Sequence, residues 1–178
     1  MASFVQDSHG VWQSSVDVPF WEGCGARFGD VQTGREIPVI FAPERGARGD
    51  RAPDDAEGTM IEAVLANLAP VSAAFLKAAA AWYDSARDSY GYDPAEAAAY
   101  MPPLAAPGDL RPLLRLREIT IHQLARDGMA YTGFVCDAWW DREHGLGGLM
   151  HGTRAVEIGG QDAAILLWIA AGDGATAI

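Results

Sequence analysis

Ile119 to Trp140 reads ITIHQLARDGMAYTGFVCDAWW, and the fold is decided there. Ile119 and Ile121 alternate with Thr120 and His122, Asp127-Gly128 has the composition of a tight turn, and Met129 to Trp140 is a long run of strand-type residues. Two such runs joined by Asp-Gly predict a β-hairpin. Side chains alternate across a pleated strand, so Ala130, Thr132, Phe134, Cys136, Ala138 and Trp140 share one face. Tyr131, Gly133, Val135, Asp137 and Trp139 share the other. Trp140 is expected in the core with Phe134, and Trp139 at the surface. His122 falls opposite Ile119 and Ile121, where contact with solvent or a helix is commoner than catalysis.

Working towards the C-terminus, a turn at Asp141 to Gly145 leads into Leu146 to Met150, and Gly152-Thr153 leads into Ala155 to Ile158. Residues 113–158 therefore predict a four-stranded antiparallel meander. Beyond Gly159-Gly160, Asp162 is placed to cap a short helix over 162–171, ended by Gly172. Ala163 to Ala171 is apolar nearly all round, which leaves a buried helix or a central strand open. It is about half the length of a bilayer span.

Working towards the N-terminus, residues 56–101 carry helical periodicity. Ile61, Val64, Leu65 and Leu68 fall at i, i+3, i+4 and i+7, and the stripe resumes after Pro70 with Val71, Phe75, Leu76, Ala79, Trp82 and Tyr83. Pro70 predicts a break near the start of the second helix. Asp93-Pro94 pairs an N-cap with a proline at the first helical position, opening a short helix through Tyr100. Residues 42–55, rich in Pro, Gly, Arg and Asp, read as a mobile loop too polar to pack; Arg48-Gly49-Asp50 within it is an integrin-type tripeptide read as coincidence. Residues 1–41 read as short glycine-cut strands, with Pro19 and Pro38 placing them at a sheet edge or leaving their pairing one-sided. The sum over 178 residues is one α+β domain, an antiparallel sheet with two or three helices on one face.

The chain carries 24 acids against 13 bases, a formal charge of −11 that disfavours nucleic acid as a partner. Eight of the acids lie between Asp54 and Glu96, against only Lys77 and Arg87. Such a segment is either a solvated helix face or a surface that steers a basic protein. Cys24 and Cys136 form no C-x-x-C pair, and read as two buried free thiols in a reducing compartment or one disulfide in an exported protein. The first ten residues lack the basic and apolar regions of a signal peptide, so a cytoplasmic location with no membrane partner is expected.

The densest polar cluster is Trp139-Trp140-Asp141-Arg142-Glu143-His144-Gly145, followed by His151. Three readings compete. Trp139, Asp141, Glu143, His144 and His151 suit a docking surface, since interface hot spots favour tryptophan flanked by charge. Glu143, His144 and His151 could serve acid/base or metal-dependent hydrolysis if a cleft gathered them. The plainest reading has the carboxylates Asp141 and Glu143 and the imidazole of His144 capping the hairpin turn while the tryptophans pack in the core. No nucleophile elbow, zinc-protease helix or phosphate-binding glycine loop is present, and no metal or cofactor is expected.

Four segments carry a resemblance: Arg126-Asp127-Gly128-x-Ala130-Tyr131-x-Gly133-Phe134, Trp140-Asp141-x-Glu143-His144-Gly145-Leu146-Gly147, His151-Gly152-x-Arg154-x-Val156, and Gly159-Gly160-x-Asp162-Ala163-Ala164. Together they resemble an uncharacterised bacterial domain-of-unknown-function family over about Ile37 to Ala164. Some similar proteins occur near polymorphic-toxin immunity genes, which implies an immunity or antitoxin-like role against a basic toxin. The resemblance carries no catalytic residue. Gly148 departs from it, standing where a β-branched strand residue is expected.

Overall fold

The computed structural model describes residues 4–29, 31–32, 36–105 and 108–177. One sheet runs in the order β1 (Val5–Gln6), β2 (Trp12–Asp17), β3 (Glu36–Phe41), β4 (Leu114–Arg126), β5 (Met129–Ala138), β6 (Asp141–His151) and β7 (Arg154–Gly159). A short β8 (Thr176–Ala177) pairs with Leu124 and Ala125 of β4. β4 to β7 form the expected antiparallel meander. Among the described residues the β3–β4 pair alone is parallel, because α1 (Asp55–Ala66), α2 (Leu68–Ala86) and α3 (Pro94–Tyr100) cross over between those strands. The architecture is α+β.

Local chemistry explains the helices. Asp54 and Asp93 each accept from two backbone N–H groups at a helix start, while Glu57 and Glu96 reach back to the cap residue. These are two reciprocal capping boxes. The helical segments containing α1 and α2 meet at a 66° bend. Pro70 lies in the first turn of α2, where a missing N–H is tolerated.

Of the two expectations for the prolines, the sheet edge is corrected for both, while one-sided pairing describes Pro38. Pro19 opens a 3-10 turn, Pro19–Trp21, outside any strand. Pro38 lies in β3, which is interior, but before the Val39–Phe41 stretch that pairs with β4, so no ladder bond to β4 is lost. Residues 42–54 form a loop with one 3-10 turn, Gly46–Arg48, and the expectation that this loop does not pack is corrected at one point. The Arg48 side chain is 4% exposed, lies 4.8 Å over the Phe41 ring and bonds Glu57 at 2.9 and 3.1 Å. Arg51 adds bonds of 2.9 and 2.7 Å to the same carboxylate. Polar residues pack once their charges are paired.

α1 and α2 cover one face of the sheet. Phe134 stacks on Phe75 at 4.8 Å, and Trp21 leans on both at 6.0 Å while its indole N–H donates to Ser72 Oγ. Gly148 lies under this layer: a Cβ there would sit 2.5 Å from Phe75 and 2.6 Å from Ile158, so the space of a β-branched residue is already taken. Cys24 and Cys136 are buried free thiols.

The opposite face is covered by a 3-10 turn, Gln161–Ala164, and by α4 (Leu167–Gly172). The apolar run at 163–171 is therefore neither one helix nor a central strand. It breaks at Ile165 and Leu166, and Trp168 beyond the break is 68% exposed. No single helix among the described residues is long and apolar enough to cross a membrane.

Candidate functional site

Residues Trp139 and Trp140 form the tight turn between β5 and β6, starting two positions earlier than the sequence suggests, and Asp141 already belongs to β6. Ala138 pairs with Asp141 and Cys136 with Leu146, so one residue of β5 faces the four residues Arg142 to Gly145. This bulge pushes Glu143 and His144 out into solvent, as bulges re-aim side chains. Gly145 closes it at φ 62° against the Gln161 side chain and the Cys136 carbonyl.

Asp141 holds the bulge. Its Oδ1 accepts from the His144 backbone N–H at 3.0 Å and lies 3.0 Å from His144 Nδ1. The His144 side chain remains 70% exposed. The capping reading thus describes Asp141 and His144 but is corrected for Glu143, which stands exposed beside them because the bulge turns it outward.

The two tryptophans divide as their faces predict, with one difference. Trp140 is buried edge-on against Tyr83 at 4.9 Å. Trp139 is half-buried rather than free. Its indole N–H donates to the Ala99 carbonyl at the end of α3, and its ring meets Phe28 at 5.6 Å and the Arg142 guanidinium at 5.4 Å.

The structure adds a row of tyrosines that sequence reasoning missed. Tyr90 stacks on Tyr92 at 5.9 Å, and Tyr92 tilts against Tyr100 at 5.6 Å. The Tyr92 hydroxyl donates to the Trp140 carbonyl at 2.6 Å, and the Tyr90 hydroxyl lies 3.5 Å from Asp141 Oδ2. Burial raises both phenol pKa values, and the Asp141 carboxylate beside them pushes the same way. The signal was available: three tyrosines fall within the short stretch around α3.

His151 belongs elsewhere. It lies seven residues beyond His144 on the same strand, roughly 23 Å away at strand rise. Its ring packs on Tyr131 at 4.9 Å and its Nε2 meets the Arg126 carbonyl at 2.9 Å. Glu143, His144 and His151 are therefore not gathered into a catalytic or metal-binding set. No group of three His, Cys, Asp or Glu residues among the described residues could hold a metal ion. His122 is fully buried on the C-terminal face, within 3.0 Å of the Ala164 carbonyl through Nε2, and burial lowers its pKa.

Fold and site define a small α+β domain with an aromatic turn and a bulge presenting Arg142, Glu143 and His144 at one end of its sheet. The chain belongs to the family described as Domain of unknown function (DUF6985), whose model matches residues 5–166. No curated protein and no solved structure matches it.

Proposed function

We propose that this chain is a small acidic binding protein, of the immunity or antitoxin kind, that occludes a basic protein partner in the cytoplasm. The observation that carries the reading is the β6 bulge, which holds Glu143 and His144 in solvent beside Trp139 and the row Tyr90, Tyr92 and Tyr100. Tyr100 is 41% exposed, and rigid aromatic rings flanked by carboxylates suit docking of a cationic surface. Asp84, Asp88, Asp93 and Glu96, around the end of α2 and the start of α3, add negative charge that accelerates encounter with such a partner. His151 is not part of this surface.

The test uses the purified product of the adjacent reading frame as partner. Glu143→Arg reverses an exposed charge without touching the core, whereas Trp139→Ala would also release Phe28 and the end of α3. Association of the wild-type chain is expected to slow as salt rises, and Glu143→Arg to weaken binding by about tenfold. Salt-independent association together with unchanged Glu143→Arg binding would refute the surface.

A further inference from the structure

The opposite end of β5 carries a second feature, about nine residues and roughly 30 Å from the tryptophan turn. Here the α1–α2 elbow and the turns at Asp127-Gly128 and Gly152-Thr153 enclose a cavity of about 330 Å³. Its walls are Met60, Val64, Val71, Met129 and Ala130, and no charged side chain lines it. Thr132 also lines it, and this residue is 2% exposed. The Thr132 hydroxyl has no hydrogen-bond partner among the described residues, whereas buried Thr120 on the same sheet donates to Ala164.

A hydroxyl that opens onto free space takes its hydrogen-bond partner from whatever fills that space. The cavity beside it is far larger than one water needs and falls within the range of small-molecule sites. Gly128 and Gly152, both at positive φ, keep side chains off the rim. Met60 and Met129 give the walls adaptable surfaces. We propose that this cavity is a binding site for a compact, uncharged, mostly apolar molecule whose single hydrogen-bonding group meets the Thr132 hydroxyl. A charged ligand is excluded by the absence of a counter-charge in the lining.

The probe pair is para-cresol and para-xylene, which differ by a hydroxyl in place of a methyl group, titrated into the full chain and followed by amide chemical shifts. Para-cresol is expected to saturate with shifts centred on Val64, Ala130 and Thr132, and para-xylene to bind about tenfold more weakly. Thr132→Val, which keeps the shape and removes the hydroxyl, should bring the two probes within about twofold of each other. Ala63→Trp, placed on the exposed face of α1 at the cavity mouth, should abolish both titrations. The site is refuted if para-cresol fails to saturate at its solubility limit, if Ala63→Trp binds as well as wild type, or if the hydroxyl preference survives in Thr132→Val.

Discussion

The two faces of the central sheet are held by different physics. Against α1 and α2 the sheet offers large rings: Phe134 on Phe75, Trp140 on Tyr83, with Trp21 wedged between layers. Burial of apolar area and ring packing hold that face. Against the 3-10 turn and α4 the sheet offers small and polar groups. Gly133 and Gly147 let backbone approach where any Cβ would overlap it. The Ala164 carbonyl accepts from Thr120 Oγ1 at 2.7 Å and meets His122 Nε2 at 3.0 Å. The Leu167 N–H is taken by the Glu44 carboxylate, and Asp173 by Arg154, Arg126 and the Tyr131 hydroxyl. The helix face tolerates changes that conserve apolar volume. The C-terminal face depends on single hydrogen bonds and on the absence of side chains.

The sharpest break of this comparison is at neighbouring residues of β5. Phe134→Ala is expected to destabilise the whole domain by about 3–5 kcal/mol, read as a lower denaturant midpoint for every probe. Gly133→Ala is expected to cost less, about 1–3 kcal/mol, and to act locally, because the C-terminal segment can move away from the intruding methyl group. Hydrogen exchange should then rise first across residues 161–177. Equal exchange across both faces would merge them into one cooperative unit.

A smaller effect separates the faces by pH. Burial depresses the His122 pKa, so between its folded value and the ordinary 6.5 the unfolded chain binds the proton and the folded chain does not. Stability should therefore fall as pH drops below about 6.5, and His122→Gln should flatten that slope. The bond from Arg154, helped by Tyr131, holds the Asp173 carboxyl well below its ordinary 3.8. Its contribution is complete above that value and fades as pH falls below it. Asp173→Asn should remove this acid-sensitive step, with β8 exchanging faster already at neutral pH.

Periodicity alone made the helix face legible. Ile61, Val64, Phe75, Ile119, Ile121 and Phe134 sit where helical and strand spacing put them, since local sequence sets which side of an element is apolar. The DG turn and the Asp93-Pro94 start were legible for the same reason. Asp54-x-x-Glu57 and Asp93-x-x-Glu96 were also present as a pattern. Read as capping boxes, they assign four of the eight acids between Asp54 and Glu96 to helix ends, not to a uniform acidic face. The loop at 42–55 misled because the Arg48–Glu57 pairing crosses from loop to helix.

By itself the sequence determined an α+β chain, its hairpin meander, the helix start at Asp93-Pro94 and the burial of Trp140, all of which follow from turn chemistry and side-chain periodicity. Tertiary structure alone decided what the candidate residues do. It bulged β6 at Arg142 to Gly145, put His151 at the far end of the strand, set a row of three tyrosines next to the tryptophan turn and placed Thr132 in the wall of a cavity. Those outcomes depend on a bulge in one strand and on which distant elements approach one another, and local spacing in a chain encodes neither.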